Sequence, residues 1–85
     1  MPDAIQGSVI DAIKDGAKKI KTVMISYRDA KGNVSERETE PYEVKEGKYY
    51  GFCLMRNEIR AFSLHNITRA HATDKTFLPK WDIKI

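Results

Sequence analysis

The sequence predicts an α+β fold, mainly β: one N-terminal helix followed by a strongly bent, five-stranded antiparallel barrel. Three observations carry this. Apolar residues recur at helical spacing near the start. From Thr22 onward the period drops to two, in short runs broken by turn residues. Nothing between those runs has the length or period of a crossover helix, so neighbouring strands run antiparallel. Five strands in so short a stretch must curl to enclose a core.

Ile5, Val9, Ile10 and Ile13 set the helix, read from about Asp3 to Gly16. Asp3 can cap the start, Gly16 marks the end or a weak last turn, and Lys18, Lys19 and Lys21 suit the negative end of the helix dipole. In Thr22–Arg28, Val23, Ile25 and Tyr27 alternate with more polar neighbours, which predicts the first strand. Asp29 to Asn33 is a turn, with Gly32 free to take positive φ. Val34–Glu40 is extended and polar and reads as an edge strand ending before Pro41. Tyr49–Met55 is apolar on both faces, which predicts a central strand covered by the barrel interior and by the helix. Asn57 suits a tight left-handed turn before the partner strand Glu58–Leu64, and Ile67–Thr73 is the fifth strand. In the tail, Trp81, Ile83 and Ile85 alternate after Pro79 and could dock on a sheet edge, the chain's own or a neighbour's; the plainer reading is a tail packed back on its own barrel.

The 85 residues thus form a single domain over 1–85, with the helix at about 3–16, the barrel at about 20–73 and the tail at 76–85. No apolar run approaches the roughly 20 residues of a membrane-spanning helix. A single cysteine, Cys53, excludes an intrachain disulfide, and no basic-then-apolar leader is present, so the expected compartment is the cytoplasm. The formal charge of +3 is uneven. Residues 1–47 hold eight Lys+Arg against nine Asp+Glu, and residues 48–85 hold seven against three. A basic second half hints at an anionic partner; the plainer reading is a solvated surface.

Several spacings resemble the WYL domain, a bacterial regulatory module with a leading helix and a small Sm-like barrel. They are Ala12-Ile13, Val23-x-Ile25-x-Tyr27, Arg37 followed by Pro41-Tyr42, the run Tyr49-Tyr50-Gly51-Phe52-Cys53, and Arg60-x-Phe62-x-Leu64-x-x-Ile67. The likeness runs from about Ile10 to Phe77. Tyr49-Tyr50-Gly51 stands where the family has its Trp-Tyr-Leu triplet, and His65-Asn66 where it has an aspartate-arginine pair. The resemblance implies a free-standing version of a module that elsewhere accompanies a DNA-binding domain. It also implies that a basic, aromatic-lined groove senses a nucleotide or single-stranded nucleic acid, in transcription regulation or phage defence.

Arg60 and Phe62 lie two apart in one strand and share a face, a pairing suited to a phosphate and a stacked base. The plainer reading is an exposed arginine over a core ring. Arg37 and Arg28 are the next basic candidates, although Glu36, Glu38 and Glu40 could simply pair with Arg37. Tyr49 and Tyr27 are candidate stacking platforms, although tyrosines at strand period are more often core or barrel-rim residues, and His65 is a candidate hydrogen-bonding or pH-sensitive group or, more plainly, a loop histidine. His65 and His71 have no supporting ligand cluster, so no metal and no cofactor are expected. Cys53 sits mid-strand and reads as a buried hydrophobe. With no nucleophile elbow, phosphate loop or carboxylate pair, the chain is not expected to be an enzyme. The alternative to a ligand-binding module is a protein-interaction or assembly module, a homodimer or a partner of another regulatory protein.

Overall fold

The computed structural model describes residues 2–85, with side chains from residue 7 onward. The side chains of Asp3, the expected cap, and of Ile5 therefore lie outside those described. Helix α1 spans Pro2–Lys19 and buries Val9, Ile13 and Ala17, a single stripe at four-residue spacing. Gly16 does not end the helix. A Cβ there would lie 2.4 Å from Val23 Cγ2 and 3.0 Å from the Lys21 carbonyl oxygen, so the glycine permits close approach to the strand that follows. The reversal falls instead on Ile20, with φ of 56°, a left-handed conformation that a β-branched residue adopts only under tertiary compulsion.

Strand β1 is Lys21–Arg28, and its alternation appears as expected, with Val23 and Ile25 fully buried. The Asp29 carboxylate accepts the backbone N–H groups of Lys31 and Asn33, both at 2.9 Å, and Gly32 takes φ of 87°. Strand β2 corrects the sequence reading. It spans Val34–Lys45, passes through Pro41, and lies in the middle of the sheet rather than at its edge. Strands β3 (Lys48–Cys53), β4 (Glu58–Ser63) and β5 (Ile67–Thr76) complete an antiparallel sheet of order β4-β3-β2-β1-β5. A short 3₁₀ turn, Leu64–Asn66, joins β4 to β5. Glu46 and Gly47 form the β2–β3 turn with φ of 53° and 77°, and Asn57 turns at 56° as its chemistry predicts.

The polar pattern of 34–40 misled because β2 changes partners. Val34–Thr39 ladders with β1, and Thr39–Lys45 ladders with β3. Each half is paired on one long side, so it tolerates the polar residues of an edge. Pro41 is accommodated by a register shift between Pro41 and Glu43, where the missing N–H breaks no regular ladder.

Strong bending is visible in one contact. Tyr27 on β1 and Phe62 on β4 are three strands apart, about 14 Å in a flat sheet. Their ring centroids are 5.1 Å apart. The barrel does not close: among the described residues no ladder joins β4 to β5. Val9 and Ile13 of α1 enter the same inner face as Val23, Ile25, Tyr49, Cys53, Phe62 and Ile67. The helix and the interior therefore share one side of β3, and a different element covers its other side.

That element is the tail, which folds back on the chain's own sheet. Trp81 packs edge-on to Tyr42 at 5.3 Å and lies 5.9 Å from Phe52. The backbone N–H of Lys84 donates to the Tyr42 carbonyl at 2.7 Å. The buried Glu40 carboxylate receives the Lys80 ammonium on both oxygens, at 3.1 and 3.0 Å, and the Tyr42 hydroxyl at 2.7 Å. The same ammonium lies 4.4 Å from the Phe52 ring centroid. Burial, chiefly, together with the adjacent Glu40, pushes the Tyr42 hydroxyl up to about 12, despite the Lys80 backbone N–H that favours its phenolate.

Two predictions follow from this packing. Gly16→Ala gains helix propensity but drives a methyl into the rigid Val23, and should lower unfolding free energy by about 1–3 kcal/mol in urea titrations; an unchanged or higher stability would contradict the close approach. For Tyr42 the folded value lies above the unfolded 10.0, so its contribution is complete below pH 10 and is lost as pH rises toward 12. Urea unfolding at a series of pH values should show a shallower alkaline decline for Tyr42→Phe than for the parent; parallel declines would contradict it.

Candidate ligand-binding site

Strand register assigns each candidate to a face. Ile25 pairs with Arg37, Tyr49 with Phe62, and Gly51 with Arg60. Residues directly opposite share a face, so Arg37 and Arg60 both belong to the inner face. Tyr27, two residues beyond Ile25, belongs there too. The Arg60 guanidinium carbon lies 6.0 Å from the Phe62 ring centroid, at the outer limit of cation–π contact. Tyr27 meets the same ring edge-on. Phe62 thus joins an aromatic ring and a guanidinium into one cluster.

Among the described residues neither arginine is paired to a carboxylate. Arg37 is flanked by glutamates, but alternation sends Glu36 and Glu38 to the opposite face. There Glu38 takes the Thr22 hydroxyl at 2.8 Å and lies 3.6 Å from Lys75. Thr22 and Thr73 also share a hydrogen bond. Arg37 donates instead to the thioether sulfur of the exposed Met55, at 2.9 Å. Sulfur is a weak acceptor, and most of the guanidinium's five donors remain for a ligand. Both arginines are half-buried, which strengthens their interaction with an anion relative to a fully solvated side chain.

Tyr49 and Phe62 are core rings, the plainer of the two readings, rather than stacking surfaces. Their exposures are 0% and 1%, and their rings stack on each other with centroids 6.0 Å apart. They form the floor of the site and leave no face for a base. Tyr49 lies across Gly51, where a Cβ would fall 2.8 Å from its ring. Its hydroxyl is 2.7 Å from the Thr39 hydroxyl, which donates to the Val23 carbonyl at 2.8 Å. Thr39 has one proton to give, so Tyr49 is the donor to Thr39. Burial pushes the Tyr49 hydroxyl far upward.

Arg28 does not join this cluster. It pairs with Val34 and points to the outer face, as does Arg69, which pairs with Ser26. Sequence reasoning passed over Arg69 because only the β1–β5 register brings it near Arg28. His65 is exposed in the 3₁₀ turn after β4 and has an interaction partner. The described residues hold no group of three or more His, Cys, Asp or Glu able to bind a metal. None of the described helices is long and apolar enough to cross a membrane.

On the other side of β3, Tyr42, Glu43, Tyr50, Ile59, Trp81, Asp82 and Lys84 line an open cleft of about 560 Å³. The sequence marks Trp81 and the tyrosines as apolar, but nothing local indicates that the tail brings them together.

Comparisons with known proteins agree with this architecture. The WYL domain family pattern matches residues 8–72. An uncharacterized HTH-type transcriptional regulator, YobV of Bacillus subtilis (strain 168), is 32% identical over 94% of this chain. The match covers 26% of that regulator, so this chain spans about a quarter of its relative's length. Among solved structures, proteasome accessory factor B/C (PafBC) of Arthrobacter aurescens superposes with a TM-score of 0.72 at 17% identity, over 84% of this chain and 12% of that one. The helix, the bent five-stranded sheet and the match across most of its length together place this chain in the WYL domain family.

Proposed function

We propose that the protein is a regulatory sensing module that binds a nucleotide or single-stranded nucleic acid on its inner sheet face, in transcription regulation. The observation that carries this reading is the cluster of Arg60, Tyr27 and Phe62, with Arg37 on the same face and, among the described residues, neither arginine paired to a carboxylate. Arg60 and Arg37 hold phosphate, and the half-buried Tyr27 offers the one ring of the cluster with an accessible surface. Phe62 and Tyr49 keep that surface rigid from below. The module acts by binding, not by catalysis. The similarity to a transcriptional regulator supports a role in which ligand occupancy is passed to a DNA-binding partner or domain.

Fluorescence anisotropy with short labelled RNA and DNA tests the proposal. Two phosphate contacts predict a log–log salt slope of about −1.4 on single strands, and Arg60→Glu should reduce its magnitude by about 0.7 while weakening binding. Arg28→Glu, on the other face, should have the smaller effect. No binding at low salt, or binding indifferent to Arg60→Glu, would refute it.

A further inference from the structure

The cleft on the outer face has the opposite chemistry from the inner one. Its walls are aromatic and aliphatic: Tyr42, Tyr50 and Ile59 from the sheet and Trp81 from the tail. Its charged groups are the carboxylates of Glu43 and Asp82 and the ammonium of Lys84. Neither carboxylate has an ion pair among the described residues. The nearby Lys80 is committed to Glu40 and to the Phe52 ring. The lining therefore carries a formal net charge of −1 beside two accessible electron-rich rings, Tyr50 and Trp81, with the buried Tyr42 behind them. Ring faces and carboxylates together attract a large, weakly hydrated cation, whose apolar skeleton fills the cleft while its charge meets the quadrupoles.

We infer that this cleft is a second binding site, selective for an organic cation, either a free ammonium compound or the basic side chain of a protein. The site is independent of the arginine cluster, which lies on the other side of the sheet. It has a structural consequence as well. Trp81 and Asp82 come from the tail and Tyr42, Glu43, Tyr50 and Ile59 from the sheet, so an occupant bridges the two and fastens the tail in place. Tail docking and cation binding are thereby coupled: what favours one favours the other.

Trp81 is the chain's only tryptophan and stands 52% exposed in the cleft wall, so its fluorescence reports occupancy directly. The probes are choline as a free cation, a blocked arginine amide as a basic side chain, and the uncharged isostere of choline in which carbon replaces nitrogen. Choline, the arginine amide or both should give a saturable change in Trp81 emission and a higher melting temperature, and the isostere neither. Which cation binds more tightly identifies the source. The Glu43→Gln/Asp82→Asn double variant should weaken binding about tenfold or more, Lys84→Met should tighten it, and Arg60→Glu should leave it unchanged. The inference is overturned if neither cation gives a saturable change, if the isostere binds as well as choline, or if the double variant binds like the parent. Because Arg60→Glu is silent here and decisive on the inner face, the two proposals fail separately.

Discussion

Thr39 is the point on which the rest of the molecule depends. It is the one residue of β2 paired with both neighbouring strands, with Val23 on β1 and with Cys53 on β3. Its side chain continues the link, donating to the Val23 carbonyl and accepting from the Tyr49 hydroxyl. A fully buried threonine thus joins three strands where one long strand changes partners. Leaving any of these polar groups unpaired in the interior would cost about 1–3 kcal/mol, so the relay specifies the arrangement more sharply than apolar packing alone.

Both faces of the sheet follow from that change of partner. Bending brings β1 and β4 close enough for Tyr27 to touch Phe62, which assembles the inner cluster beneath Arg60. The register shift at Pro41–Glu43 places Tyr42 where the tail closes over it. Strict alternation then sorts the charges of β2. Arg37 goes inward, while Glu38 and Glu40 go outward to Lys75 and Lys80. A strand whose sequence sets an arginine between glutamates could have neutralised itself; its geometry separates the signs instead, leaving the arginine on the inner face and the carboxylates on the outer one.

Period-two alternation was legible wherever a strand has one apolar face. Val23, Ile25 and Tyr27 identified β1, and the doubly apolar run identified β3 as interior. The turn residues Gly32 and Asn57 were legible because glycine and asparagine are the residues that enter positive φ most readily. The misses share one cause, that a strand's neighbours are not written in its own residues. The polar half of β2 looked like an edge because it is paired on one side only. Gly16 looked like a terminator because its close approach to Val23 is a tertiary fact. The alternation of Trp81, Ile83 and Ile85 did mark a tail able to dock on the chain's own sheet, but the strand it covers, and hence the cover over β3, depends on the tertiary contact with Tyr42. For the site, Arg60 and Phe62 could be placed on one face by spacing. The burial of Phe62 and Tyr49, and the departure of Arg28 to the other face, depended on register.

The account stands or falls on the Thr39 relay, and a double-mutant cycle measures it directly. Thr39→Val strands the buried Tyr49 donor, Tyr49→Phe removes that donor, and the two changes together remove both partners. The two single costs should therefore sum to more than the cost of the pair, with a coupling energy of about 0.5–3 kcal/mol from urea unfolding. Strict additivity would show that the hydroxyl chain does not join the strands, and would contradict the claim that the fold is organised around it.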